Sequence, residues 1–351
     1  MNERRGTGRF SQRGARATRV LACLLAALTF PLIWVGGLVT TYDAGMAVPD
    51  WPSTYGHNLL LYPWQTWLAG PWDLMIEHGH RLLGSLVGLV SLILAATVWV
   101  TEAPRTVRIW SLVLVVGVIG QGVLGGLRVL QADPRLAQVH GCTGPVFFTM
   151  TLVMVWLTWP GSAVDTTAQS ALATGLGPGT PRQRALAWLV AGLAFGQLVL
   201  GSVLRHVTFA TTMGTFRGAV VLHLAGAALI AWFAGRQYLA VRRELPDVRS
   251  ARWHVGGLEL LVLAQIALGL STWALRYGIP AWLAGGEVRW VNVAGSMTQS
   301  LTITAHVAIG SLILGLASLW AVRITWPTMV GWIPWMTLPW AAGSVRSEVW
   351  G

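Results

Sequence analysis

Eight long runs of apolar residues constrain this chain more than any other feature. A helix needs about 20 largely apolar residues to cross a bilayer. Only 11% of the 351 residues are charged and 54% are hydrophobic, too little charge to cover a soluble protein of this length. We therefore predict an all-α polytopic membrane protein. The predicted spans are 19–41, 76–101, 107–128, 138–159, 184–204, 217–239, 254–276 and 299–323.

The positive charge of the chain indicates its orientation in the membrane. The basic residues are all arginines, because the sequence contains no lysine. If the N-terminus is cytoplasmic, seventeen arginines fall on the inside and six on the outside, and cytoplasmic segments carry the excess of positive charge. We predict a multi-pass protein of the cell inner (cytoplasmic) membrane, with both termini cytoplasmic and an uncleaved first helix. Membrane lipid is an expected partner, and nucleic acid is not.

The spans are predicted to form two four-helix halves. A stretch rich in Gly, Ser, Thr and Ala separates the fourth span from the fifth and reads as a linker. Tryptophans and prolines after the last span favour an interfacial segment over a ninth span. The predicted parts are an Arg-rich cytoplasmic N-terminus at 1–18, a bundle at 19–159, a cytoplasmic linker at 160–183, a bundle at 184–323 and a Trp/Pro-rich tail at 324–351.

Internal repeats support this division. Three odd-numbered spans carry a glutamine followed four residues later by a glycine, and small residues let helices approach closely in lipid. Each even-numbered span carries a histidine followed within one turn by a glycine. We predict two pseudo-symmetric bundles, spans 1–4 and 5–8, with a site at the same depth in each. The repeated pairs are Gln121/Gly125, Gln197/Gly201 and Gln265/Gly269, then His80/Gly84, His140/Gly144, His223/Gly226 and His306/Gly310.

The four histidines predict two haem sites. A histidine within a span is costly unless it is buried, paired or functional. A single one is commonly a satisfied polar residue, but here one recurs in each even span near the same membrane face. Parallel helices within a bundle can present two imidazoles at matching height across a gap that a porphyrin fills. Zinc would need a tighter cluster, with cysteine or carboxylate ligands, and the two cysteines form no such motif.

Arginines near the outer face are candidates for binding the haem propionates, since topology alone disfavours positive charge there. Arg81 directly follows His80 and is the foremost candidate. Ordinary loop arginines are the alternative for each of them. The candidates are Arg81, Arg128, Arg205, Arg217 and Arg276.

One carboxylate distinguishes the two predicted sites. Glu77 lies three residues before His80, on the same helical face, and the other three histidines have apolar residues at that position. Chemistry that moves protons needs such a group, whereas an electron carrier does not. We predict that the N-terminal half is the reaction site and the C-terminal half an electron-transfer or structural haem site. A charge favoured at the helix N-terminus is the alternative for Glu77.

The remaining histidines and the first outer loop are assigned structural roles. The loop at 42–73 is rich in Trp and Tyr, and we expect it to cover the N-terminal site as a lid. The histidines predicted to be structural are His57, His78, His206 and His254.

These residues resemble a known family, the heme A synthases. The segment Glu77-His78-Gly79-His80-Arg81 is similar to the family's Glu-x-x-His-Arg motif. The glycines at 36–37 and the Asp-Trp-Pro sequence at 50–52 look like its first helix and first outer loop. The other three paired histidines fall where the family has its own. The resemblance covers about residues 19–323.

The resemblance implies a function for each site. It implies that haem O is the substrate, bound by His80 and His140, and that haem b is bound by His223 and His306. Glu77 matches the family's essential carboxylate. The implied reaction is successive hydroxylation of one haem O methyl group, followed by dehydration of the gem-diol to the formyl group of haem A for terminal oxidase assembly. Haem O synthase, a membrane electron donor or acceptor, and a second copy of the chain are candidate partners.

Two other functions stay open from the sequence. One is a di-haem b electron-transfer protein, and the other is a haem-handling or oxidase assembly factor without catalysis. The chain also departs from many family members, because its first outer loop has no cysteine pair. A thiol route for electrons through that loop is therefore excluded.

Overall fold

A computed structural model describes residues 12–159, 179–207, 211–278 and 295–329, with the backbone alone for 327–329. This part of the chain is helical and has no β-strand. Eight of its helices are long and apolar enough to cross a membrane, which confirms the predicted fold class. They are α1 Gln12–Thr41, α2 Trp72–Val100, α3 Arg105–Leu130, α4 Pro134–Leu157, α5 Pro181–Arg205, α6 Met213–Glu244, α7 Arg249–Tyr277 and α8 Met297–Met329.

Three of these helices begin a few residues before the spans predicted from the apolar runs, because a capping residue starts each of them. The Asp133 carboxylate accepts a hydrogen bond from the Arg135 amide at the start of α4. Thr180 and Gln183 form a reciprocal capping box at the start of α5, and Thr212 caps α6. Such caps satisfy amides that have no partner within the helix, so the helix extends beyond its apolar stretch. At the other end of the chain, α8 continues past position 323.

The helices pack as two closed rings of four. In the first ring α1 contacts α2, α2 contacts α3, α3 contacts α4, and α4 contacts α1. The second ring repeats this order from α5 to α8. The equal order is what two related bundles would show, and their pseudo-symmetry stays a prediction. Most of the predicted linker and tail lies outside the described residues.

The two rings meet along α1, α4, α5 and α8, where small residues allow close packing. A Cβ added at Gly37 on α1 would lie 2.8 Å from Thr304 Cγ2 on α8. A Cβ at Gly315 on α8 would lie 2.7 Å from Leu152 Cδ1 on α4. Near the C-terminal end of α8, Trp326 packs edge-on against Trp156 of α4, which anchors the extension of α8. The glycines therefore fix the distance between the rings.

Replacing Gly37 by alanine should destabilise the protein. The new methyl group meets a β-branched side chain that cannot move aside, and such overpacking costs about 1–3 kcal/mol. Gly257→Ala is the matched control, because nothing lies within 4 Å of the added methyl group and alanine favours the helix by up to about 1 kcal/mol. Thermal unfolding in detergent should show a lower Tm for Gly37→Ala and an unchanged or higher Tm for the control. A shift in the same direction for both would contradict close packing at Gly37.

Candidate functional site

The structure brings the four repeated histidines together as two pairs, one within each ring. The ring centroids of His80 on α2 and His140 on α4 are 6.3 Å apart, with an angle of 89° between the ring planes. The centroids of His223 on α6 and His306 on α8 are also 6.3 Å apart, with an angle of 62°. The two rings of helices thus hold their imidazoles at the same separation.

This separation suits two imidazoles that share one metal ion. A metal–nitrogen bond to histidine is about 2 Å long, and the ring centre lies about 1.2 Å beyond the nitrogen, so two coaxial ligands have centroids about 6.4 Å apart. Within the described ranges, no three His, Cys, Asp or Glu side chains group to hold a metal by themselves. A pair of histidines alone suits haem iron, whose other four ligands come from the porphyrin.

A glycine on the neighbouring odd-numbered helix supports each imidazole. A Cβ added at any of these glycines would lie 2.9 to 3.5 Å from the Cε1 atom of the histidine, so each imidazole packs directly against the glycine. Three of the four belong to the repeat seen in the sequence. The fourth, Gly36 on α1, was missed because no glutamine precedes it. The pairs are Gly36/His80, Gly125/His140, Gly201/His223 and Gly269/His306.

All four imidazoles carry a buried nitrogen that needs a ligand or partner. Their Nδ1 atoms are buried and make no hydrogen bond to the described protein atoms. Burying a polar atom without a partner costs free energy. Four such atoms at equivalent positions fit a site that a metal group completes.

Glu77 and Arg81 tie the first outer loop to α2. One carboxylate oxygen of Glu77 accepts a 2.8 Å hydrogen bond from the Val48 amide, and the other lies 2.9 Å from the Arg81 guanidinium. Arg81 also donates to the carbonyl oxygens of Val48, Asp50 and Ser53. Glu77 is 1% exposed, so these contacts are shielded from solvent. Arg81 was the foremost candidate for binding a haem propionate. The guanidinium N–H groups described here instead donate hydrogen bonds to the loop.

His78 is a second anchor for the same loop. Its Nδ1 lies 3.0 Å from the hydroxyl of Thr54, and both side chains are buried. The rings of Tyr62 and Trp67 pack on the other sides of the imidazole. The structure thus gives His78 the structural role expected for it. Sequence spacing did not reveal its partner, because Thr54 lies 24 residues earlier.

Asp50 holds the loop in a compact turn. Its carboxylate accepts hydrogen bonds from the amides of Tyr55 and Gly56, both 2.8 Å long, and from the hydroxyl of Ser53. Partial burial raises the pKa of Asp50, but these hydrogen bonds outweigh it and lower the pKa to about 2. Turn-forming residues after an aspartate are the sequence signal for such a motif.

The loop covers the outer ends of α2 and α3, close to the first histidine pair. The indole of Trp51 packs directly over Gly126, the neighbour of the glycine that supports His140. The guanidinium of Arg128 packs against Gly45 and lies 3.9 Å from Glu77, beyond hydrogen-bond distance. Two arginines therefore surround one carboxylate, which leaves one positive charge in excess at this end of the site.

The other candidate arginines lie in different surroundings. Arg205 at the end of α5 donates to the hydroxyl of Thr41 at 2.7 Å and to the carbonyl of Gly37, so it links the two rings of helices. Arg217 is exposed, and Arg276 is exposed and stacks on Tyr277. Their predicted contacts with propionates stay predictions.

Comparisons with known proteins agree with the resemblance. The model of the COX15-CtaA family, described as a cytochrome oxidase assembly protein, matches residues 71–219. A heme A synthase of Methylobacterium sp. (strain 4-46) is 27% identical over 361 aligned residues, which cover 88% of this chain and 96% of the relative. A heme A synthase of Methylobacterium radiotolerans is 26% identical, covering 78% of this chain and 85% of the relative. A third, from Symbiobacterium thermophilum, is 27% identical, covering 70% and 81%.

The chain is thus similar over most of its length to proteins named heme A synthase, and its eight apolar helices are those of a multi-pass membrane protein. The family match includes all of α2 to α5 and the start of α6. It therefore contains His80 and His140, the first of the two histidine pairs.

The stability of the turn held by Asp50 should decrease at acidic pH. Because the folded pKa of about 2 lies below the ordinary 3.8, its stabilisation is complete above about pH 4 and is lost as the pH falls towards 2. Hydrogen exchange at the Tyr55 and Gly56 amides, corrected for the intrinsic rate, should stay slow down to about pH 4. Asp50→Asn should speed this exchange at neutral pH, and equal protection in the variant and the wild type would contradict the turn.

Proposed function

We propose that this chain is a heme A synthase, which oxidises a methyl group of haem O to the formyl group of haem A. The observation that carries the proposal is the pair of equivalent bis-histidine sites. Among the residues that the structure describes, a carboxylate lies beside the first pair only. The comparisons support the proposed role, and the geometry supports the proposed assignment of the two sites.

We assign His80 and His140 to the substrate haem O, and His223 and His306 to a resident haem b. The assignment follows from Glu77, since C–H oxidation with loss of water requires proton transfer near one porphyrin only. The resident group supplies electron-transfer chemistry at the second site. The loop above the first pair supports the same assignment, because covering a reaction site excludes water from it.

The reaction is a four-electron oxidation of one carbon. Each of two hydroxylations replaces a C–H bond by a C–O bond and removes two electrons from the carbon. The gem-diol then loses water to give the aldehyde. The electrons pass to an external oxidant, either dioxygen or a membrane-bound electron acceptor.

In this series of reaction steps, Glu77 is the proposed proton-transfer group. Its carboxylate lies within one helical turn of His80 and contacts Arg81. A carboxylate fixed by hydrogen bonds can accept a proton as the C–H bond is replaced and return one when water leaves. The same contacts hold the loop, so two roles for this side chain must be separated by experiment.

Arg128 is the best-placed partner for a haem propionate. It lies at the outer end of α3 and packs against the loop, and Glu77 balances only one of the two nearby guanidinium groups. A propionate would supply the missing negative charge, in a charge-assisted hydrogen bond. We further propose that the protein lies in the inner membrane, with both termini in the cytoplasm, as the arginine distribution indicates.

Substituting Glu77 separates catalysis from loop anchoring. Glu77→Gln keeps an acceptor for the Val48 amide but removes the proton-transfer group. Because general acid–base groups contribute about 10²–10⁴-fold, haem A formation should fall by about a hundredfold or more while bound haem persists. The measurement is chromatography of haem extracted from membranes that express the chain with a supply of haem O. Normal output from Glu77→Gln, with loss only in Glu77→Ala, would leave Glu77 as a loop anchor alone.

Glu259→Gln is the matched control for this experiment. Glu259 is another glutamate within a span, on α7, and its Oε2 atom is buried with no hydrogen bond in the described structure. Its substitution should leave haem A output unchanged. The same chromatogram separates the alternatives, since an electron carrier would yield only unmodified haem b.

Replacing one histidine at a time should empty one site at a time. His306→Ala should remove haem b and leave haem O binding, whereas His140→Ala should do the reverse, because each ring of helices holds its own pair. Absorbance in the Soret region and extracted haem give the two occupancies. Loss of both haems from each variant, with the fold intact by circular dichroism, would contradict independent sites.

A further inference from the structure

We infer that residues 58–72 of the first outer loop, called here the apolar segment, bind the lipid of the adjacent membrane leaflet and so hold the loop against α2. The occupant of this surface is the headgroup region of the bilayer in which the protein lies. The inference goes beyond the proposed haem chemistry and does not depend on it.

The first outer loop has two parts of different character. Residues 42–57 include Asp43 and Asp50, and Asp50 holds the polar turn described above. The apolar segment has no charged side chain and consists mainly of leucine, tryptophan and proline. Its last residue, Trp72, is also the first residue of α2, so the segment runs directly into a membrane-spanning helix. Tryptophan beside the end of a span is typical of the membrane–water interface.

The apolar segment has an inner and an outer side. On the inner side the Trp67 indole donates a 3.0 Å hydrogen bond to the Met75 carbonyl oxygen and packs edge-on against His78. The ring of Tyr62 also packs on His78, with centroids 5.1 Å apart. An exposed patch of large apolar side chains marks a protein or membrane contact. On the outer side, five such residues are 41% to 77% exposed, namely Leu60, Leu61, Trp64, Leu68 and Trp72.

The position of the patch favours lipid as its occupant. Because α1 ends at Thr41 and α2 begins at Trp72, both ends of the loop lie where spanning helices leave the membrane. Leucines within the spans, such as Leu89 on α2, are exposed to a similar degree and face lipid. The patch therefore continues a lipid-facing surface that the protein already has.

The backbone limits how deeply the apolar segment can enter the bilayer. It forms only two short helical pieces, Leu59–Leu61 and Trp64–Leu68, with irregular chain between and after them. Irregular backbone that faces lipid does not occur in the hydrocarbon region, where its polar groups would have no partners. We therefore expect the backbone to stay among the headgroups, while the side chains reach about 5–10 Å into the boundary with the acyl chains.

Tyr62 connects the apolar segment to the polar turn. Its ring centroid lies 6.2 Å from that of Tyr55 and 5.6 Å from that of His57. The amide of Tyr55 is one of those that Asp50 holds. Loss of the lipid contact should therefore loosen the turn as well as the segment.

A nitroxide label at position 61 tests the membrane contact. The label is attached to Leu61→Cys, with His57→Cys in the exposed polar part as the matched control, both in a Cys23→Ser, Cys142→Ser background in lipid nanodiscs. Power saturation of the spectrum should show that the label at 61 meets dioxygen more readily than a water-soluble nickel chelate. The label at 57 should show the reverse order.

Two results of the labelling would overturn the inference. Equal access of the chelate to both labels would place the apolar segment in water. Low access of both reagents to the label at 61 would show that protein covers the patch, from this chain or from a second copy.

A double serine variant tests the connection to the turn and needs no new cysteine. In nanodiscs, Leu60→Ser with Leu61→Ser should speed hydrogen exchange at the Tyr55 and Gly56 amides by about tenfold, because two apolar side chains lose their lipid contact. Leu60→Met with Leu61→Met is the matched control, since methionine stays apolar and should preserve the wild-type rate. Wild-type exchange in the serine variant, or equal acceleration in both variants, would contradict the inference.

Discussion

The contact between an imidazole and the backbone of a glycine on the next helix is the interaction on which the rest of this structure depends. It occurs four times, and in each case an added Cβ would lie 2.9 to 3.5 Å from the histidine Cε1 atom. Because the glycine has no side chain, the two helices can approach while the ring stays within the bundle. The equal 6.3 Å separation of the two histidine pairs follows from repeating this contact in both rings of helices. The contact is tightest at Gly36, where an added Cβ would lie 2.9 Å from His80 Cε1, so a larger residue there would displace the ring or the helix.

The sequence predicted the eight spans and the paired histidines because both leave local signals. Apolar runs have a length, and histidines are conspicuous within them. Gly36 of the first helix lies outside the repeat, since Leu32 stands where the other helices have glutamine, so its contact with His80 could not be predicted from the repeat. The partners of His78 and Arg81 could not be predicted either. They lie in the first outer loop, 24 to 33 residues earlier, where the turn built by Asp50 decides which atoms face α2.

One short segment of α2 serves two surfaces. Successive residues of a helix are rotated by about 100°, so Glu77, His78 and Arg81 share an arc of about 100°, while His80 points about 60° beyond its edge. The arc faces the outer loop, and His80 faces the interior of the bundle. Glu77 lies at the border between the two directions, which explains how one carboxylate can bind the Val48 amide and still stand within a turn of the ligand. A motif that resembles a catalytic signature is thus also the attachment of the loop.

The two halves hold equivalent pairs of imidazoles but surround them with different side chains. The first half adds the outer loop, the Glu77 carboxylate and an excess positive charge. It has Leu32 where the other odd-numbered helices have a glutamine. The second half has both amides beside its histidines and, in its described part, no carboxylate at the position of Glu77. A duplicated bundle allows this division because the histidine–glycine contacts set the ligand geometry in both halves, independently of the groups around them. Under the proposed function, residues that bind the haem and residues that act on it can then diverge separately, since neither set is needed to bring the imidazoles together.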